Sequence, residues 1–135
     1  MPAIMADHDI EGQVRALLRL LTSAAWHEVW HGLVMRVESF ASLGLPENTS
    51  DAALWQFCQT QQIILITGNR NKAGTDALVA VIEWSNTSIS LPLLTIGTPP
   101  RVLSSREYAE RVAIRLLEVL LDVEQYRGTG RLYLP

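Results

Sequence analysis

A chain of 135 residues, 48% apolar and 19% charged, is sized for one domain with a real core, which excludes a disordered or fibrous protein. Its formal charge of −3 excludes the broad basic surface that grips phosphate backbones by counterion release, so any nucleic-acid contact must be local. A single cysteine, Cys58, leaves no intramolecular disulfide and no thiolate zinc site within one chain, which fits a reducing compartment. The N-terminal segment lacks the basic-then-apolar pattern of a signal peptide, and no apolar run reaches the about 18 residues of a membrane span. A cytoplasmic protein, not attached to a membrane, is expected.

In chain order, Ala3-Ile4-Met5-Ala6 predicts a short buried strand that stops at Asp7-His8-Asp9. From Asp9 the spacing of Val14, Leu17, Leu18 and Leu21 predicts a helix. Trp26, Val29, Trp30 and Leu33 suit a short second helix, after which Val34 to Phe40 alternates like a strand. Leu43 to Asn48 is a turn-rich loop, and Ser50 is placed to cap a helix carrying Ala53, Leu54, Phe57 and Cys58. A further strand, Ile63 to Thr67, stops at Gly68-Asn69-Arg70-Asn71.

Thr75 caps a predicted helix reaching Trp84, and Leu91 to Ile96 is a strand that tolerates Pro92 near its start. Thr98-Pro99-Pro100 breaks the chain. Ser104-Ser105-Arg106-Glu107 then reads as a capping box with Ser104 as the cap. The long helix it opens has Ala109, Val112, Ala113, Leu116, Leu117 and Leu120 on its apolar face, with Glu107 and Arg111 as an i,i+4 pair. Val119 and Leu121 widen that face toward a second partner. Gly128 and Gly130 release a tail, Arg131 to Leu134, that can add an edge strand. Strands alternating with helices predict an α/β domain over residues 1–135, with a mainly parallel sheet flanked by helices.

If Ala3–Ala6 and Ile63–Thr67 are parallel neighbours, their carboxyl ends bring both polar clusters to one crevice, where open α/β sheets bind ligands. The resulting oxygen-rich pocket suits a hard divalent cation. Each residue also has a plain structural use. Asp7 and Asp9 can cap the first helix, and Asp51 can sit in a first turn where the helix dipole favours an acid. Thr67 to Asn71 can be a tight strand-to-helix turn, since Gly and Asn tolerate left-handed backbone.

The succession Met5-Ala6-Asp7-His8-Asp9, Leu43-Gly44-Leu45, Ser50-Asp51-Ala52-Ala53-Leu54-Trp55 and Ile64-Leu65-Ile66-Thr67-Gly68-Asn69-Arg70-Asn71 resembles the small PIN-like proteins of the PilT N-terminal superfamily. The resemblance covers roughly residues 1–75. It implies a single-domain, three-layer PIN-like fold and magnesium- or manganese-dependent endonucleolytic cleavage of RNA, often by the toxin of a toxin-antitoxin pair. By position, Asp7 resembles the family's first metal-binding acid, and His8 or Asp9 falls where a second polar group sits. Asp51 resembles the acid that opens the helix before the central strand. Asn69 and Asn71 stand where that strand's Thr-x-Asp-x-Asp ending has acids.

Asn carbonyls can ligate a cation but bring no charge, so weaker metal binding than in a typical family member is expected. Asp76 or Glu83 could return an acid to the crevice. The implied set is Asp7, Asp51 and Asn69 as catalytic residues, Asp7, Asp9, Asp51 and Asn69 as metal ligands, and Thr67, Arg70 and Asn71 toward substrate. Lys72, Arg101 and Arg106 are further candidates for phosphate. A protein partner of antitoxin type, a homodimer, or a non-catalytic binding protein derived from the same fold are alternatives within the resemblance.

His27-Glu28-Val29-Trp30-His31 independently matches the zinc-peptidase signature, two His one turn apart holding zinc with Glu activating water. Glu47 or Asp51 is then the third ligand. Gly32 directly after His31 makes for a short helix, and only a βα unit precedes it. The plain alternative buries Trp26, Val29, Trp30 and Leu33 and leaves His27, Glu28 and His31 in solvent. The four tryptophans suit a core or dimer interface better than base stacking, and Cys58 on an apolar helix face reads as an inert thiol.

Overall fold

The computed structural model describes residues 3–68, 82 and 85–135. Among these residues five short runs extend as strands: β1 (Ala3–Ala6), β2 (Arg36–Glu38), β3 (Ile63–Gly68), β4 (Leu93–Ile96) and β5 (Arg131–Leu134). They form one sheet in the order β2-β1-β3-β4-β5, and every neighbouring pair is parallel. The helices bounded within the described residues are α1 (Glu11–Leu21), α2 (His27–Leu33), α3 (Phe40–Leu43), α4 (Asp51–Gln61), α5 (Pro99–Ser104) and α6 (Arg106–Leu121). No helix among the described residues is long and apolar enough to cross a membrane.

Alternation along the strands divides the core between two sides of the sheet. Ile4, Ile64, Ile66, Leu94 and Ile96 pack with Val14, Leu17 and Leu21 of α1 and with Val112, Leu116 and Leu120 of α6. Ala3, Met5, Ile63, Leu65 and Leu93 instead meet Phe40 of α3 and Leu54, Trp55 and Cys58 of α4. Helices on both faces of a parallel sheet make three layers. They explain why β3 and β4, buried at every position, read as unbroken apolar runs rather than alternating ones.

Several local expectations shift. The strand expected over Val34 to Phe40 contracts to Arg36–Glu38. Val34 closes α2 in the left-handed region at φ 51°, and Phe40 opens α3 behind a reciprocal Ser39–Ser42 capping box, because burying the Phe40 ring against α4 requires the chain to turn there. Val29 is 42% exposed, since so short a helix buries only the narrow stripe through Trp30 and Leu33. Pro99 does not break the chain but starts α5, where proline's missing amide costs nothing.

That helix runs through Ser104, so the cap of α6 is Ser105, whose hydroxyl accepts from the Tyr108 amide. The shift of one residue removes the Glu107 capping box, and the ion pair formed in the first turns is Arg106–Glu110, Nε to Oε1 3.0 Å, rather than the expected Glu107–Arg111. Arg111 lies over the Tyr108 ring instead. Val119 is core, while Leu121 is exposed. Pro92 precedes β4 rather than entering it, and β5 takes the expected edge. Trp30 and Trp55 are core residues. The helix expected over Thr75 to Trp84 lies outside the described residues except at Ile82, which packs on the α4 side.

Candidate metal centre at the carboxyl end of the sheet

The chain leaves β1 toward β2 on one side and β3 toward β4 on the other, so the β1/β3 boundary is the topological switch point where such sheets place ligands. Pairing of Ala6 with Ile66 sets Asp7 level with Thr67, and the Asp7 amide donates to the Ile66 carbonyl at 2.8 Å. The Asp7 side chain is 2% exposed. Its Oδ1 accepts from the His8 amide at 2.8 Å, and its Oδ2 from the Thr67 hydroxyl at 3.3 Å. Asp7 therefore caps the 3-10 turn His8–Ile10 and also presents a carboxylate anchored by both central strands. Burying a carboxylate is costly without such partners.

His8 rises beside it, Nδ1 3.2 Å from Asp7 Oδ1 and Nε2 3.7 Å from Asp9 Oδ1, with its ring edge-on to Phe40. One ligand atom from each of Asp7, His8 and Asp9 lies within 4.8 Å of the others, so the three could hold a metal ion. His8 and Asp9 are about half exposed. The group thus has a buried floor and an open rim.

Asp51 occupies the first turn of α4 behind the cap Ser50, whose Oγ accepts from the Ala53 amide at 3.2 Å. The single residue Gln62, left-handed at φ 57°, reverses the chain from α4 into β3, and α4 packs on that strand. Eleven helical residues span roughly 16 Å and six strand residues about 20 Å, so Asp51 returns to the sheet's carboxyl edge. It does not join the three-residue group.

Thr67 is buried and directs its hydroxyl at Asp7. Asn69, Arg70, Asn71, Lys72, Asp76 and Glu83 lie outside the described residues. Arg101 covers the Tyr108 ring at 4.5 Å and Arg106 is the partner of Glu110. The left-handed turn considered at Gly68 is absent, since its φ is not positive. A Cβ there would meet Ile10 Cγ2 and Pro99 Cγ at 2.9 Å each, so the position is small because the turn after β1 and the start of α5 close on it.

Of two nearby groups, Glu38 carried no signal in the sequence, whereas Cys58 was legible there as an inert thiol on an apolar helix face. Glu38, at the end of β2, pairs in register with Met5 and so projects on the face that Asp7 shares. Its side chain is 17% exposed, and it accepts from the Ser42 hydroxyl at 3.0 Å. Cys58 lies beneath: burial first, then the negative charge of Asp7, pushes its thiol up to about 12. It stays protonated and is no nucleophile at neutral pH.

On α2, His27, Glu28 and His31 all face solvent, with the imidazole centroids 5.5 Å apart and the rings nearly perpendicular. Neither Glu47 nor Asp51 completes a three-ligand group with them. Comparison with protein-family models, curated proteins and solved structures gives no match, so the chemistry of this chain is read from its own residues.

Proposed function

We propose that this chain is a divalent-cation-dependent ribonuclease of PIN-like type, with magnesium or manganese held at the carboxyl ends of β1 and β3. The observation that supports it most is Asp7, a carboxylate 2% exposed at the switch point, bonded to Thr67 and adjoining a histidine and a second acid. Oxygen donors with one imidazole fit manganese well and magnesium acceptably. Asp7 and Asp9 would hold the ion with the His8 imidazole beside them, and Asp51 and Asn69 are the further ligands proposed. Thr67 fixes the Asp7 rotamer, while Arg70 and Asn71 orient the RNA phosphate. When bound, the cation supplies Lewis acidity and an activated water. The proposed setting is cytoplasmic, with a homodimer or an antitoxin-like protein as partner.

The test is calorimetry with manganese on the wild type and Asp7→Asn, joined to cleavage of single-stranded and structured RNA. Manganese binding lost at Asp7→Asn, with metal-dependent cleavage by the wild type, is the expected result. Asn69→Asp should raise the rate by restoring charge. Wild-type manganese binding that survives Asp7→Asn would overturn the site. RNA binding without cleavage in either metal would move the reading to a non-catalytic binding protein.

A further inference from the structure

We infer that the exposed face of α2 is a second, independent metal site, a two-histidine clip for zinc formed by His27 and His31. Two imidazoles bound to one tetrahedral zinc at about 2.05 Å place their ring centroids roughly 5.2 Å apart, from bond length, ring radius and tetrahedral angle together. The observed separation is 5.5 Å with an interplanar angle of 87°. One ion of that kind can therefore span the two rings at the spacing they already hold.

The i,i+4 spacing is what creates this: residues four apart lie on one helix face, and Trp30 and Leu33, buried on the opposite side, fix that face outward. Imidazole favours zinc, copper and nickel over magnesium or manganese, so the clip and the Asp7 group differ in ion preference. With two protein donors, two of zinc's four positions remain for water or an outside donor. Without a third ligand among the described residues, the clip binds metal and does not reproduce a peptidase centre.

Zinc titration by calorimetry on the Asp7→Asn protein isolates the clip from the other group. One zinc per chain is expected, weakened at least tenfold by His27→Ala or by His31→Ala. Gly32→Ala, whose new Cβ meets nothing within 4 Å, stiffens the helix and should tighten binding a few-fold. Zinc affinity indifferent to both histidine substitutions overturns the inference, as does zinc binding that vanishes with Asp7→Asn while the histidines are intact. Failure of manganese binding or RNA cleavage leaves this outcome untouched.

Discussion

The carboxyl end of β1 and the outer face of α2 both gather metal-ligating side chains, yet they are held in opposite ways. Asp7 is fixed by long-range structure: its level is set by strand register, its second oxygen by Thr67, and its surroundings by Phe40 and Cys58. His27 and His31 are brought together by one helical turn, and only the back of that turn, Trp30 and Leu33, takes part in the core. The first arrangement pays a desolvation cost that only specific partners or a cation offset, whereas the second costs almost nothing to form. A buried, expensive acid therefore argues for use more strongly than an exposed pair does.

The largest expected effect lies at the first site. Asp7→Asn keeps an acceptor for the His8 amide but removes the charge, so under the proposed function manganese affinity should fall by about 100-fold and the proposed RNA cleavage should cease. Unchanged circular dichroism would separate this from unfolding. Retained cleavage would erase the contrast drawn between the two regions.

Next comes pH. The folded thiol of Cys58 keeps its proton to about 12, while an unfolded one loses it near 9.0. Between those values the unfolded chain binds fewer protons, so stability falls as pH rises, at up to about 1.4 kcal/mol per unit. Denaturant melts at pH 8 and 11 on wild type and Cys58→Ala should differ in that slope. Parallel profiles would mean that the thiol is not buried beside Asp7.

Gly68→Ala pushes a methyl onto Ile10 and Pro99 and should cost about 1–3 kcal/mol, read as a lower Tm. Because Ile10 ends the turn carrying His8 and Asp9, manganese affinity should drop with it, while zinc binding at α2 should not. Thr67→Val is the mildest, about 1 kcal/mol for one lost hydrogen bond and a few-fold loss in manganese affinity. An equal loss of zinc affinity would show the regions to be coupled.

What was legible in the sequence followed from how each constraint arises. Periodicity exposed β1, α1 and the whole apolar face of α6, because burial against a sheet imposes regular spacing. Asp7 was legible as an acid ending an apolar run, and the solvent-facing His27, Glu28 and His31 as polar positions between buried ones. Val34 was not, since a β-branched residue in an alternating stretch looks extended until Phe40 forces the turn. Ser105 was missed by one position because α5 consumes Ser104, an outcome of packing rather than of capping preference. Glu38 acquires its place only from parallel pairing with β1 and leaves no local pattern.

The hydrogen bond from Thr67 to Asp7 spans 60 residues, and every strand pair in the sheet is parallel and non-local. During synthesis, Asp7 emerges early but cannot find its level until Ile63–Gly68 has left the ribosome and been inserted beside β1. Long-range closure of this kind is slow relative to local helix formation. His27 and His31 need only one helical turn to share a face, but Trp30 and Leu33 behind them pack with α6, so a nascent or cut chain ending before Ile63 would have neither the Thr67 anchor of Asp7 nor the packing that holds α2.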